Sequence, residues 1–343
     1  MNKDRIKKLQ SMIEAPLLVK KKENLYYLTG RFFMHGYLLV TKKDVIFFGD
    51  GLEKSGFTKS DRLKYIGKYL RRGSKFQIEN VFTFAESDYL KAKLKGTGIR
   101  FTVVPSPVDQ TRAIKSQEEI RLVGRSMQIV DRVFIKVKKA LKTKFWTERS
   151  LADFIAQQGL RAGASGGSFD PIVASGANAA IPHHVPSSKK LISGESIIID
   201  FGFKYHEYCS DFTRTVFLKT VPKKLALAYE QTELAYLHSL WAAKPGAKAS
   251  SLYNIATETL AKKSLDKYFI HNLGHGTGLE IHELPNLSPV SQEKLSPGMV
   301  FSVEPGVYIP KVGGIRIEDL VYLDSKKLNK FIFVSTSLAD NIF

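Results

Sequence analysis

Five side chains in this sequence have the types and spacing to do chemistry together: Asp200, Asp211, His275, Glu304 and Glu318. The two aspartates flank Tyr205-His206-Glu207, between apolar runs at 196–203 and 208–218 that read as strands. A turn centred between Tyr205 and His206 predicts that Asp200 and Asp211 face one another across a hairpin, with Cβ atoms ~4.5–5.5 Å apart. Glu304 and Glu318 repeat the arrangement about a turn centred on Lys311, beside Gly313-Gly314. Like charges placed opposite on a sheet destabilise it; at ~4 Å and an effective dielectric of ~20, each pair costs on the order of 4 kcal/mol. Two such pairs ask for a compensating cation. Four carboxylates and one imidazole suit a pair of divalent ions, and the oxygen-rich set favours Mn²⁺ over Co²⁺, Zn²⁺ or Fe²⁺.

The imidazole lies in Gly274-His275-Gly276-Thr277-Gly278, where flanking glycines let the backbone approach a ligand closely. His282 follows seven residues on, where a strand or loop return brings it to the same cleft. Ile181-Pro182-His183-His184 presents two more imidazoles on a proline-stiffened loop. Taken singly, each residue has a plainer reading. Asp200 and Asp211 are turn or edge carboxylates, Glu318 beside Asp319 is a solvated strand end, and His183 and His184 are satisfied loop histidines. The glycine run is no dinucleotide loop, because the strand–turn–helix context and the downstream acid are missing. Cys209 reads as a small buried thiol. It is the joint occurrence of acids and His275 in this order that points to chemistry.

The elements that must position these groups follow from periodicity. At 343 residues the chain exceeds one ordinary core, and ~150 residues per domain predicts about two. Pro105-Ser106-Pro107 places the boundary between an N-terminal α/β domain, 1–108, and a second domain, 109–343. In the first, 24–30 reads as a strand closed by Gly30, 37–40 and 45–48 as a hairpin, 57–71 and 86–95 as helical, and 99–104 as a strand. In the second, Ser116 and Glu119 make a capping-box signature. Ile120, Val123, Met127, Val130, Phe134, Val137 and Leu141 then form one apolar stripe on a long helix. A second helix spans 148–161 and ends at Gly163. Two more cover 222–243 and 250–264, and β runs cover 300–308 and 315–323. Helix, helix, paired strands thus occurs twice, each time with a carboxylate pair, which is the layout of a diverged internal duplication.

Composition bounds the class. With 43% apolar and 25% charged residues the chain is not disordered, and its single cysteine excludes a disulfide framework or a cysteine-built zinc site. The net charge of +19 is carried by scattered pairs such as Arg71-Arg72 and Lys189-Lys190 without aromatic interleaving, so solvated surface is expected and a nucleic-acid partner is not. No stretch approaches the ~18 apolar residues of a membrane span. The opening residues, 1–22, lack the apolar core of a signal peptide, so a cytoplasmic protein with no membrane partner is expected.

Three strings together resemble the metallopeptidases of the methionine aminopeptidase, aminopeptidase P and prolidase superfamily. They are Asp200-Phe201-Gly202 through Ser210-Asp211-Phe212-Thr213-Arg214-Thr215; Gly274-His275-Gly276-Thr277-Gly278 through His282-Glu283; and Val303-Glu304-Pro305-Gly306 with Gly314-Ile315-Arg316-Ile317-Glu318-Asp319. The resemblance implies an α+β fold: a C-terminal pita-bread catalytic domain behind a smaller α/β N-terminal domain. It implies two divalent metal ions, with Asp200 a terminal chelating carboxylate, Asp211 and Glu318 bridging, and His275 and Glu304 on the other ion. His183 and His282 match histidines that hydrogen-bond substrate or intermediate, and Arg316 the arginine beside the bridging glutamate. The turn Tyr205-His206-Glu207 and His184 depart from the family pattern and bear on substrate preference. The separate N-terminal domain resembles aminopeptidase P and prolidase, so the implied reaction is hydrolysis between an N-terminal residue and proline in short peptides, by a homodimer. A water shared by the ions loses its proton far more easily, from a pKa of ~15.7 toward ~7, and the hydroxide attacks the scissile carbonyl. Glu304 shuttles the proton to the leaving nitrogen. The competing readings are a non-catalytic peptide- or partner-binding relative and a basic nucleic-acid-binding one.

Overall fold

The computed structural model describes residues 2–49, 57, 59–143 and 145–343, and the chain divides into two compact units, Met1–Arg112 and Ala113–Phe343. The first contains α1 (Lys3–Met12), β1 (Leu17–Val19), α2 (Lys22–Thr29), β2 (Gly36–Val40), β3 (Val45–Gly49), β4 (Ser60–Asp61), β5 (Lys75–Glu79), α3 (Phe84–Leu94) and β6 (Arg100–Val104). Its strands form one mixed sheet in the order β4-β3-β2-β1-β5-β6. The expected hairpin is present, with Val40 opposite Val45. Leu18, Leu39, Phe48, Phe76 and Ile78 of the sheet pack with Ile66 and Leu90.

Two expectations fail in this unit. Residues 24–30 form most of a helix, not a strand. A short apolar run fits either element; here Asn24, Leu25, Tyr27 and Leu28 are buried together at helical spacing. Gly30 does close the segment, but as a left-handed helix cap at φ 74° whose N–H donates to the Tyr26 carbonyl. The 57–71 stretch, of which residue 58 lies outside the described residues, holds β4 and only a 3₁₀ turn over Leu63–Tyr69.

After α4 (Pro107–Ala113), the second unit opens with α5 (Gln117–Thr143). Its capping box is formed: the Glu119 N–H donates to Ser116 Oγ (3.3 Å) and the Ser116 N–H to Glu119 Oε2 (2.9 Å). All seven residues of the predicted stripe are buried. There follow α6 (Glu148–Arg161), β7 (Gly166–Gly167), β8 (Ile172–Ser175), β9 (Ser196–Asp200), β10 (Phe203–Tyr205), β11 (Tyr208–Cys209), β12 (Phe212–Phe217), α7 (Lys223–Ala242) and α8 (Ala249–Ala261). The chain ends through β13 (His275–Gly276), β14 (Glu283–Asn286), β15 (Val300–Val303), β16 (Gly306–Ile309), β17 (Gly313–Arg316), β18 (Glu318–Leu323) and β19 (Leu328–Lys330).

The main sheet runs β14-β13-β15-β18-β12-β9-β8, with β19 on β18. The β9–β12 ribbon of one half and the β15–β18 ribbon of the other meet at β12–β18, where Thr213 lies opposite Glu318. Tyr229 and Tyr236 of α7 and Leu252 and Leu260 of α8 share a core with Phe301, Val303 and Val321 of the sheet.

The long β runs are each interrupted at the carboxylates. β10 and β11 leave the main sheet to join β7, and β16 and β17 form a separate pair. The breaks fall at Phe201-Gly202, Ser210-Asp211, Glu304-Pro305 and Ile317. At Gly202 a Cβ would stand 1.9 Å from the Ser210 carbonyl oxygen, so only glycine permits the crossing.

The first hairpin's register is corrected by the structure. Its turn is His206-Glu207, both left-handed at φ 45° and 69°, with Tyr205 opposite Tyr208. Asp200 therefore faces Thr213, not Asp211. The turn lies one residue later than predicted, so every partner moves by two positions. Side chains alternate with a period of two, which keeps Asp211 on the side expected of it. The second hairpin has the predicted register: Gly306 opposite Arg316, and Val303 opposite Asp319, about Lys311 at φ 64°.

Candidate metal centre

All five predicted ligands sit at strand ends or strand breaks of the main sheet. Asp200 ends β9, Asp211 precedes β12, His275 opens β13, Glu304 follows β15 and Glu318 opens β18. One ligand atom each of Asp211, His275 and Glu318 lies within 4.8 Å of the others. His275 Nε2 is 3.4 Å from Asp211 Oδ2 and 3.3 Å from Glu304 Oε1. Asp200 is held from the far side by Arg316, whose Nη2 donates to its Oδ2 at 2.5 Å. Ser302 Oγ accepts the His275 backbone N–H (3.0 Å) and donates to Glu304 Oε1 (3.1 Å), fixing the two residues relative to each other. Thr213 Oγ1 donates to Glu318 Oε2 at 2.7 Å.

Gly274 makes the His275 placement feasible, because a Cβ there would lie 2.1 Å from the Ser302 carbonyl oxygen. Gly274→Ala is expected to cost about 1–3 kcal/mol, as overpacking does, and to weaken metal binding by pushing His275 away from Glu304. Thermal melting and a metal titration of the variant read the two effects; unchanged metal affinity counts against this account.

The electrostatics indicate what the cluster could hold. Burial pushes the Asp200 carboxyl up to about 6, against the pull of Arg316. Burial likewise pushes Glu304 up to about 7, with His275 opposing, and Glu318 well above the usual carboxylate range, with Asp211 adding to it. Burial disfavours a charged His275, yet Asp211 and Glu304 outweigh it and lift the imidazole to about 9. Glu318 Oε1 and Asp200 Oδ1 are buried and accept no hydrogen bond among the described residues. Buried acids that resist ionisation, two with an oxygen left over, fit a divalent cation in their midst.

Around this cluster the His282 ring stands edge-on to His275, with centroids 4.3 Å apart. His183 is exposed and is among the neighbours that lower His271 and His282. His184 turns away from the acids: its Nε2 is 2.9 Å from Glu148. Cys209 is buried, burial holding its thiol up at about 12. Arg316 also donates to the Tyr308 hydroxyl (2.8 Å), the Pro182 carbonyl (3.4 Å) and Thr213 Oγ1 (3.2 Å). Tyr308, pushed up to about 12 by burial, is 2.9 Å from His271 Nε2, and burial takes that imidazole down to about 4.

Tyr308, Thr213 and Ser302 also touch the cluster or Arg316 beside it, and His271 touches Tyr308, without belonging to any of the motifs' ligand or substrate positions. Strand alternation carried a signal for three of them. Thr213 shares parity with Asp211, Ser302 with Glu304, and Tyr308 lies opposite Gly314, two residues from Arg316. His271 stands outside any strand and had no such signal.

The profile of metallopeptidase family M24 matches residues 121–325. The Xaa-Pro dipeptidase of Pyrococcus furiosus is 32% identical over 96% of this chain and 98% of its own. The crystal structure of the prolidase from Pyrococcus horikoshii superposes with a TM-score of 0.90 at 30% identity, over 98% of this chain and 99% of that one. The X-Pro aminopeptidase of Thermotoga maritima gives a TM-score of 0.84 at 25% identity, over 98% and 99%. With well over half its length matched by the family profile and nearly all of it shared with such relatives, this chain belongs to metallopeptidase family M24 and has its pita-bread fold.

Proposed function

We propose that this protein hydrolyses the bond between an N-terminal residue and proline in short peptides, using two divalent cations held by Asp200, Asp211, His275, Glu304 and Glu318. The observation that carries the reading is the grouping of Asp211, His275 and Glu318, with Glu304 against His275 and Asp200 coupled to Asp211, and with buried oxygens of Asp200 and Glu318 that have no partner among the described residues. The relatives named for Xaa-Pro cleavage supply the substrate class. Asp211 and Glu318 would be shared between the two ions, with Asp200 on one and His275 and Glu304 on the other; manganese would suit the oxygen-rich donor set best. Bound there, the ions supply Lewis acidity and bring the pKa of a water from ~15.7 toward ~7.

The protein's own groups do the rest. Glu304, oriented by Ser302, accepts a proton and returns it to the leaving nitrogen. That return is essential at proline, whose imide nitrogen carries no hydrogen of its own. His282 beside His275, and the exposed His183, hydrogen-bond the substrate carbonyl as negative charge develops on its oxygen. Arg316 holds Asp200 in place through its Oδ2 and pulls against the burial that raises its carboxyl. A homodimer and a cytoplasmic location belong to the same reading; among the described residues no helix is long and apolar enough to cross a membrane.

The test is a panel of Xaa-Pro and Xaa-Pro-Yaa peptides with the metal-free protein reloaded with Mn²⁺, Co²⁺ or Zn²⁺. Turnover confined to peptides with proline second is the expected result, and the ratio of the two series separates dipeptidase from aminopeptidase. Two tightly held ions without turnover of any such peptide would instead identify a non-catalytic peptide-binding relative.

A further inference from the structure

One buried carboxylate outside the metal cluster is surrounded by donors. Glu148, in the first turn of α6, has a side chain with no exposed surface. It accepts from the Ser175 N–H (2.8 Å) and Oγ (2.9 Å), Asn178 Nδ2 (3.0 Å), His184 Nε2 (2.9 Å), and the Ser187 N–H (3.1 Å) and Oγ (2.6 Å). Those donors come from both ends and the middle of the 175–187 segment that carries His183. On one side of His183, the Pro182 carbonyl accepts from Arg316 of the metal cluster. On the other, His184 is tied to Glu148. His183 itself is exposed.

We propose that Glu148 is a positioning residue that, through His184, holds His183 toward the metal cluster. The inference deepens the proposed peptidase reading and rests on it for its kinetic consequence. Burial alone would raise the Glu148 carboxyl, but bonds from Ser187, His184, Asn178 and Ser175 outweigh it and hold it down at about 2. The acid is therefore an ionised acceptor, and His184 presents Nε2–H to it. Glutamine at 148 offers one oxygen in place of two, and its NH₂ group opposes the donors already there. Loss of the His184 contact frees the chain immediately after His183, and displacement of a catalytic group by ~1 Å can cost ~10²-fold in rate.

The experiment is a double-mutant cycle on the full-length, Mn²⁺-loaded protein with Glu148→Gln, His184→Ala and His183→Ala. The expected result is unchanged bound metal for all three, kcat lowered about tenfold or more by E148Q and by H184A, and less than a twofold further loss when either is added to H183A. His184→Asn, which keeps a side-chain N–H donor, recovers part of the loss. Full multiplicative loss in the H183A background, or unchanged kcat in both E148Q and H184A, overturns the proposal. Where E148Q does not fold, the H184A and H183A cycle decides alone. A readout independent of turnover is the ¹⁵N-labelled His183 ring, sharp in the wild type and broadened or shifted in H184A. If the wild type cleaves no Xaa-Pro peptide, the peptidase reading has failed, and an unperturbed His183 signal in H184A would then overturn the positioning role separately.

Discussion

Glu318→Gln is expected to abolish turnover and metal binding while making the metal-free protein more stable. Glu318 is 2% exposed, and its Oε1 has no hydrogen-bond partner among the described residues. An unsatisfied buried polar atom costs ~1–3 kcal/mol, and the neighbouring Asp211, Glu304 and Asp200 add repulsion. A glutamine amide can accept from Thr213 and donate to one of those acids, so the metal-free variant melts above metal-free wild type. With metal at ~100 times its dissociation constant, wild type gains ~2.7 kcal/mol, whereas the variant gains nothing. The order of the two melting curves therefore inverts on adding Mn²⁺. Metal-free wild type should also lose stability as pH rises. Asp200, Glu304 and His275 all have folded pKa values above their ordinary ones, at about 6, 7 and 9. The native state binds more protons than the unfolded chain across that range, and stability falls from the ordinary carboxylate range up through about 9. Melting curves that keep their order, or metal-free stability that rises over this window, would contradict the account.

The largest loss of stability is expected at Arg214, which is wholly buried. Its guanidinium donates to Asp319 Oδ1 (2.8 Å) and to the carbonyls of Thr213 (2.9 Å), Glu318 (2.6 Å), Val334 (2.9 Å) and Ser335 (3.1 Å). Asp319 also receives the Tyr236 hydroxyl and Lys330 Nζ, the latter at 2.6 Å. Arg214→Met removes the principal counter-ion from a buried acid and strands several carbonyls, at a cost of ~3–5 kcal/mol. That is a large share of the 5–15 kcal/mol of a typical domain. Since Arg214 also grips the Glu318 carbonyl, metal affinity should fall with it. Denaturant unfolding of metal-free R214M measures the loss; a change below ~1 kcal/mol would mean Lys330 and Tyr236 suffice.

The candidate site was more legible in the sequence than its scaffold was. Asp200, Asp211, Glu304 and Glu318 are identified by being acids beside apolar runs, and a one-residue error in the first turn leaves their side of the sheet unchanged because the error enters twice. The same tolerance does not extend to element type. The 24–30 segment reads as strand because a short apolar run with two tyrosines carries no period, and only burial on a helical face distinguishes α2. The breaks at the carboxylates were equally invisible, since a strand that changes sheets keeps its alternation. Glu148 could not be found from motif or period: its importance comes from donors as distant in sequence as Ser187.

The seam between β12 and β18 carries only two paired residues on each strand, Phe212 with Asp319 and Thr213 with Glu318. The proposed ligands are divided between the two sides of that border: Asp200 and Asp211 precede α7, and His275, Glu304 and Glu318 follow α8. A chain cut between α7 and α8 would thus yield two pieces, neither with a full coordination sphere. The cations would then act as rivets across the border, and reassembly of the pieces would depend on metal concentration as steeply as catalysis does.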